Sequence, residues 1–171
     1  MTENAAESTT ATEKRFHARS LAWGLGVAAV IMVLDQITKH YTLFTLLADT
    51  RGFEVLPFLN IVLAWNTGVS FGMFGDGAFS PWLFFALSVA ISLGMAVWIS
   101  RTTDRILILS LAMMIGGAIG NAIDRVRWGA VFDFIDVHAF GWHWPAFNVA
   151  DAGITVGAAL LILDSLFRRA D

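Results

Sequence analysis

Residues 77–100 read GAFSPWLFFALSVAISLGMAVWIS, 24 in a row without a charged side chain. A helix needs about 20 apolar residues to cross the hydrocarbon core of a bilayer, so this run crosses unaided. Trp82 and Trp98 stand near its two ends, about 24 Å apart on a helix, where amphipathic rings settle at the two headgroup layers. The stretch predicts a transmembrane helix and decides the fold class, a membrane protein that is mainly α.

Toward the N-terminus an apolar run from Ser20 to Leu34 continues past Asp35 to Leu47. No small-residue cleavage pattern follows it, so it reads as an uncleaved first span and not as a signal peptide. Toward the C-terminus lie a run from Ile106 to Ile123 and a shorter one from Ala152 to Leu163, between Asp151 and Asp164. The last is expected to form a helix from near Asn148 to near Phe167. Four spans result, at about 20–44, 78–100, 106–123 and 148–167. Residues 1–19 form a polar tail, and residues 20–171 a single four-span domain. Composition agrees: 57% of the 171 residues are hydrophobic and 15% charged, far more apolar than a soluble domain. A net charge of -3 gives no support to a nucleic-acid partner. The absence of cysteine removes disulfides, thiol nucleophiles and Cys-ligated metals, and leaves the redox compartment unread.

Four spans put both termini on one side. Lys14, Arg15, Arg19, Arg101, Arg105, Arg168 and Arg169 gather there, while Lys39, Arg51, Arg125 and Arg127 lie elsewhere. The positive-inside rule therefore predicts cytoplasmic termini, with two outward connections, roughly Thr45–Phe79 and Asp124–Phe147. The first is broken by Pro57 and by Asn66, Gly68, Gly72, Gly75 and Gly77, and its β-branched and aromatic residues favour short strands or an interfacial platform. Trp65, Trp128, Phe140, Trp142 and Trp144 crowd the outer segments, as interfacial anchors or as an apolar floor for a lipid-bearing substrate.

Two acids stand out against this apolar background. Asp133 lies between Val131-Phe132 and Phe134-Ile135, and Asp151 opens the fourth span. An Asp at a helix centre in a bilayer costs roughly 2.5–3.5 kcal/mol. Apolar neighbours disfavour the charged form of Asp133, whereas the dipole at a helix start favours a negative charge at Asp151. Brought together, such a pair can share one proton, the arrangement with which an aspartic dyad activates water. The structural alternative is a helix cap at Asp151 and a loop hydrogen bond at Asp133.

Other constellations have two readings each. Asp35 and Lys39, four apart, share a helix face in the favourable order for an ion pair; they either steady the first span, with Lys39 reaching toward the outer interface, or form a polar wall of the site. Gly116/Gly120 and Gly153/Gly157 are small-residue pairs that let membrane helices approach closely. Contact between the third and fourth spans would bring Asn121 and Asp124 near Asp151, with Arg125 neutralising Asp124 or holding a substrate carbonyl. Gly68-Val69-Ser70-Phe71-Gly72 fits G-x-S-x-G, which would make Ser70 a nucleophile served by His138 or His143; that motif needs an α/β elbow this chain lacks, so the stronger reading is a Gly-rich turn with a small polar residue. Asp133, Asp136, His138 and His143 match no metal-binding spacing and read as loop groups facing water or headgroups.

Five blocks, in order along the chain, resemble the lipoprotein signal peptidase (signal peptidase II) family. They are Asp35-Gln36-Ile37-Thr38-Lys39, Asn66-Thr67-Gly68-Val69-Ser70-Phe71, Gly117-Ala118-Ile119-Gly120-Asn121-Ala122-Ile123-Asp124-Arg125, Val131-Phe132-Asp133-Phe134 and Phe147-Asn148-Val149-Ala150-Asp151-Ala152-Gly153-Ile154. The resemblance implies a four-helix bundle with a small outward β-platform and a short outer helical segment. It implies a membrane aspartic endopeptidase of the bacterial cytoplasmic (inner) membrane, from a globomycin-sensitive family, with its site near the outer face. It implies a diacylglyceryl-modified prolipoprotein as substrate, cut before the lipidated cysteine, with membrane lipids around it and no metal or organic cofactor. It makes Asp133 and Asp151 the catalytic pair. Asn66, Gly68, Asn121, Asp124, Arg125, Asn148, Asp35 and Lys39 then bind substrate or brace the site. The chain is read as a monomer. A proton-coupled transporter or channel subunit using Asp35, Asp124, Asp133 and Asp151, or a purely structural membrane subunit, is the competing class.

Overall fold

The computed structural model describes residues 16–68 and 80–168. Among the described residues, four helices are long and apolar enough to cross a membrane. Helix α1 spans Ala18–Tyr41 and continues as a π-helical turn, Thr42–Leu46, which prolongs the first span toward the sheet. Strands β1 (Gly52–Leu56) and β2 (Leu59–Asn66) follow, then α2 (Pro81–Ile99) and α3 (Arg105–Trp128). Strands β3 (Val131–Ala139) and β4 (Trp142–His143) lead into α4 (Val149–Arg168). The motif Gly68–Gly72 falls largely outside the described residues.

The helix ends follow from local chemistry. Ser80 accepts the Trp82 N–H, with Pro81 in the first turn where its missing donor costs nothing. Asp104 Oδ1 accepts the N–H groups of Ile106 and Leu107 at the start of α3. Gly129, at φ 74°, ends it in the left-handed conformation. The last helical residue, Trp128, lies five residues beyond the expected 123. Apolar sequence ends at Ile123, but the helix continues because Asp124 turns inward to partners described below. Asp124 and Arg125 therefore belong to α3 and not to the outer connection.

Helix α3 is the central element and packs on all three others. Its small residues make this possible. A Cβ on Gly116 would stand 2.5 Å from Ala28 O of α1, and one on Gly117 would strike Ala150 O of α4. Gly117, rather than Gly116, thus makes the approach to α4, while Gly157 meets α3 from the other side, where a Cβ would stand 2.6 Å from Ser110 O. At the end of the bundle where α1 begins, Ala28, Met95, Ile99, Ile108, Leu111, Ala112 and Ile115 form an apolar core. The N–H of His17 donates to Ser100 O there at 2.7 Å. The outward helix faces carry exposed Val30, Leu87, Ile91, Leu93 and Ile162, as lipid-facing surfaces should.

The opposite end holds the sheet, in the order β1-β2-β3-β4 with antiparallel pairing. Phe132 and Phe134 pack with Leu47 beneath it. Between Ile61 and Ala64, β2 advances three residues while β3 steps two, from Ile135 to Asp133. Such a bulge bends a strand and re-aims its side chains, here at Asn66. On the other side of β3, Phe147 exchanges backbone hydrogen bonds with Ile135 at 3.0 and 2.9 Å. That pairing sets the next residue, Asn148, beside Asp133.

Candidate active site

The site is built where β3, the start of α4 and the sheet-side ends of α1 and α3 meet. Asp133 is on strand β3, not in a loop, and is 3% exposed. Its Oδ1 accepts from Asn148 Nδ2 at 2.6 Å, and its Oδ2 from Asn66 Nδ2 at 3.2 Å. Asp151 lies in the first turn of α4. Its Oδ1 accepts from Asn121 Nδ2 at 2.8 Å, and its Oδ2 from the Asn148 N–H at 3.3 Å.

Asn148 joins the two acids. Its Oδ1 accepts the Asp151 N–H at 2.9 Å while Asp151 accepts the Asn148 N–H, a reciprocal capping box. The same Asn148 amide donates to Asp133. The capping role considered for Asp151 is therefore real, and it fixes this carboxylate on the side chain that also holds Asp133. Burial pushes the Asp133 carboxyl up, and the nearby Asp151 charge pushes it further. Hydrogen bonds from Asn66 and Asn148 and the charge of Lys39 only partly oppose this, leaving it at about 7.

A buried ion cluster supports the pair from below. Lys39 Nζ lies 2.9 Å from Asp35 Oδ2 and 2.7 Å from Asp124 Oδ2, and it donates to Asn121 Oδ1 at 3.0 Å. All its hydrogens point into protein, so Lys39 does not reach toward the outer interface. Asp35 Oδ1 in turn accepts the Ala150 N–H at 2.9 Å, so a residue of α1 caps the first turn of α4. Asp124 Oδ2 accepts the Phe132 N–H at 3.2 Å and ties α3 to the strand carrying Asp133. Gln36 completes the cluster, donating to Asp35, to Gly120 O and to Asp124 Oδ1. Sequence reasoning missed Gln36; its place beside Asp35 in the first block was the available signal.

Arg125 does not pair with Asp124. Its guanidinium donates to Gly68 O at 2.7 Å and to Asn121 O at 3.2 Å, and lies 5.3 Å from the centre of the Phe84 ring. It clamps the end of β2, where Asn66 Oδ1 also accepts the Gly68 N–H. Every residue expected at the site, namely Asp133, Asp151, Asn66, Gly68, Asn121, Asp124, Arg125, Asn148, Asp35 and Lys39, thus falls in one connected network. Ser70 lies outside the described residues.

Asp136 departs from expectation, whereas His143 is exposed as expected. Asp136 is buried, not turned to water, and accepts from Asn60 Nδ2 at 2.8 Å and bonds His143 Nδ1 at 2.9 Å. Burial raises its pKa, but the bonds from Asn60 and His143 outweigh that and hold it below the usual carboxylate range. Three residues apart on one strand, Asp133 and Asp136 point to opposite faces, so the second acid stabilises the sheet and stays out of the first one's site.

The family model for signal peptidase (SPase) II matches residues 27–167. A lipoprotein signal peptidase of Methylobacterium radiotolerans is 48% identical over 145 residues, covering 84% of this chain and 85% of its own. One from Paraburkholderia phymatum is 43% identical over 151 residues, covering 87% and 90%. A solved bacterial membrane enzyme at 2.3 Å resolution is similar with a TM-score of 0.74 and 31% identity, over 85% of this chain and 88% of that one. A second, at 1.9 Å, gives 0.71 and 30%, over 90% and 97%.

Proposed function

The chain belongs to the signal peptidase II family, and on that footing we propose that Asp133 and Asp151 are its catalytic pair. It is a multi-pass bacterial membrane protein and an aspartic peptidase that removes the signal peptide from prolipoproteins. The observation that carries the assignment of the pair is the Asn148 bridge, with Asp133 pushed up to about 7 beside a second carboxylate.

In this reading the ionised carboxylate takes a proton from a water molecule, and the water oxygen attacks the scissile carbonyl carbon. The protonated partner donates to the carbonyl oxygen as negative charge develops there. Collapse of the tetrahedral species breaks the C–N bond, and the leaving amine takes the proton. The pair titrates as a unit, so the proton belongs to both. The bond cut is the one before a cysteine carrying diacylglycerol. A lipid-anchored cysteine is confined to the headgroup depth, which supplies much of the orientation. The acids are placed at the outer face and both termini in the cytoplasm, supported by the distribution of Lys and Arg. Residues 1–19 are the cytoplasmic tail, residues 20–171 the peptidase domain, and one copy of the chain suffices. Asn66, Asn121, Asn148 and Arg125 set the walls of the site, and Asp35, Lys39 and Asp124 brace it.

A proton relay across the bilayer finds little support. Below Asp35 the interior is the apolar cluster of Ala28, Met95, Ile99, Ile108, Leu111 and Ile115, which a relay would have to cross. Asp133→Asn and Asp151→Asn should each abolish cleavage of a diacylated prolipoprotein while the protein still purifies as a folded helical bundle. Near-normal cleavage by either variant refutes the pair.

A further inference from the structure

Helix α2 has two faces at its C-terminal end. Ser92, Met95 and Ile99 are buried against the bundle. Gly94, Val97 and Trp98, with Arg101 in the turn that follows, are exposed. Spaced at i, i+3, i+4 and i+7, these four form one stripe, and they line a groove of about 390 Å³. The groove begins at Gly94. A Cβ there would meet nothing within 4 Å, so the missing side chain leaves a notch in a surface that faces lipid. From the notch to Arg101 the helix rises about 10 Å. It passes from hydrocarbon depth to an interfacial tryptophan and then to a cation.

The polar end of this groove carries donors without acceptors. A basic residue behind a helix ordinarily bonds its last carbonyls. Here those carbonyls are already taken. Ala96 O accepts the Ser100 N–H at 3.0 Å, and Val97 O the Ser100 hydroxyl at 2.7 Å. Trp98 O accepts the Arg101 N–H at 3.0 Å, and Ile99 O the Thr102 N–H at 3.3 Å. Among the described residues, neither the Arg101 guanidinium nor the Trp98 indole N–H has an acceptor. The carboxylate of Asp104 is engaged at the start of α3. Arg19 and Arg105, at the starts of α1 and α3, add positive charge at the same end of the bundle, which favours an anion there.

A matching ligand has an anion at one end and a hydrocarbon chain at the other. A second membrane helix fits less well. Ala90 and Gly94 are a small-residue pair of the kind that lets helices approach, but the groove runs the other way. There Trp98, four residues on, would hold a helix backbone off. We propose that the groove binds one anionic phospholipid of the leaflet at this end of the bundle. Its phosphate meets Arg101, an ester carbonyl meets the Trp98 indole, and one acyl chain follows Val97 into the Gly94 notch. The His17 N–H is bonded to Ser100 O, so a lipid held at Arg101 also steadies the junction of α1 and α2. The site lies at the opposite end of the bundle from Asp133 and Asp151 and does not depend on their role.

The test is native mass spectrometry of the full chain in detergent, titrated with phosphatidylglycerol or phosphatidylcholine. It reads the affinity of the first lipid bound. Wild type should prefer phosphatidylglycerol, and glycerophosphate, which has the anion without the chains, should not compete. Arg101→Gln should weaken phosphatidylglycerol binding at least about tenfold, as loss of hydrogen bonds to a charged group does. Gly94→Leu removes no charge and should weaken it as much by filling the notch; leucine is the better helix former, so this variant folds. Arg19→Gln removes a charge outside the groove and should cost no more than the roughly fivefold of general attraction to an anionic surface. A phosphatidylglycerol with a photoreactive group near its glycerol should label residues 94–101 of wild type. Equal affinity for the two lipids, unchanged affinity in Gly94→Leu, equal losses in Arg19→Gln and Arg101→Gln, or label confined elsewhere overturns the proposal. So does a dimer cross-linked through residues 94–98, which would make the groove a helix contact.

Discussion

Asn148 Nδ2 donates to Asp133 Oδ1 at 2.6 Å, a short side-chain bond at the heart of the site. Because Asn148 is also the cap of α4, one residue couples the end of a membrane helix to a carboxylate on the sheet. Cap and clamp are separable by substitution. Asn148→Ser keeps a capping oxygen and loses the Nδ2 donor, so helix stability should fall by less than about 1 kcal/mol. Turnover should nevertheless fall by two orders of magnitude or more, because Asp133 loses its hold. Thermal unfolding and cleavage assays on the same sample check both; wild-type turnover in this variant would make Asn148 a cap alone.

Asp133 should also govern the pH dependence. Its folded carboxyl is raised to about 7 by burial and by Asp151, from an ordinary value of 3.8. The folded state therefore holds a proton that the unfolded chain has released, so between about pH 4 and 7 stability falls as pH rises, by at most about 1.4 kcal/mol per unit. Asp133→Asn should lose that slope whatever its offset at one pH. For activity, kcat/KM should decline on the alkaline side with an apparent pKa near 7, as the pair loses its shared proton. A stability slope identical in wild type and variant, or an alkaline limb several units higher, would contradict this assignment.

The buried cation makes a different prediction. Lys39 is 5% exposed and faces Asp35 and Asp124 together. Removing one partner from a buried pair costs about 3–5 kcal/mol, because the other charge stays behind unpaired. Lys39→Met should destabilise by that amount. Lys39→Met combined with Asp124→Asn should be less destabilised than Lys39→Met alone, since one stranded charge is gone. Unfolding midpoints in one detergent check the cycle. Additive losses would mean the two residues do not interact.

The spans were legible because the hydrocarbon core imposes a length on apolar runs, and the platform because Pro57 and its glycines interrupt one. Asp133 and Asp151 were legible because a carboxylate in apolar sequence is costly. The orientation of side chains was not. Asp35 and Lys39, four apart, declare a shared face but not where it points, and Lys39 turned inward because Asp124 waited across the helix interface. The end of α3 was missed because hydropathy stops at Ile123, whereas the helix stops at Gly129 once its polar residues are bonded inside. Gly117 was overlooked in favour of the Gly116/Gly120 pair, since spacing shows a small-residue stripe but not which neighbour each glycine meets.

Arg125 is subject to the same limit. Its bond to Gly68 O joins residues 57 apart in sequence, a link no local pattern displays. The guanidinium holds the Gly68 carbonyl with Nη2 and the Asn121 carbonyl with Nη1, a two-pronged grip that fixes the β2 end carrying Asn66. Lysine keeps the charge but offers a single rotating head on a different stem. Arg125→Lys should therefore leave folding intact and lower kcat/KM at least tenfold, about 1.4 kcal/mol of transition-state stabilisation. The loss should track Asn66: Asn66→Ala should be similarly impaired, and Arg125→Lys added to it should cost little more. Full additivity of the two in kcat/KM would show that Arg125 acts on the substrate directly and not through the Asn66–Gly68 turn.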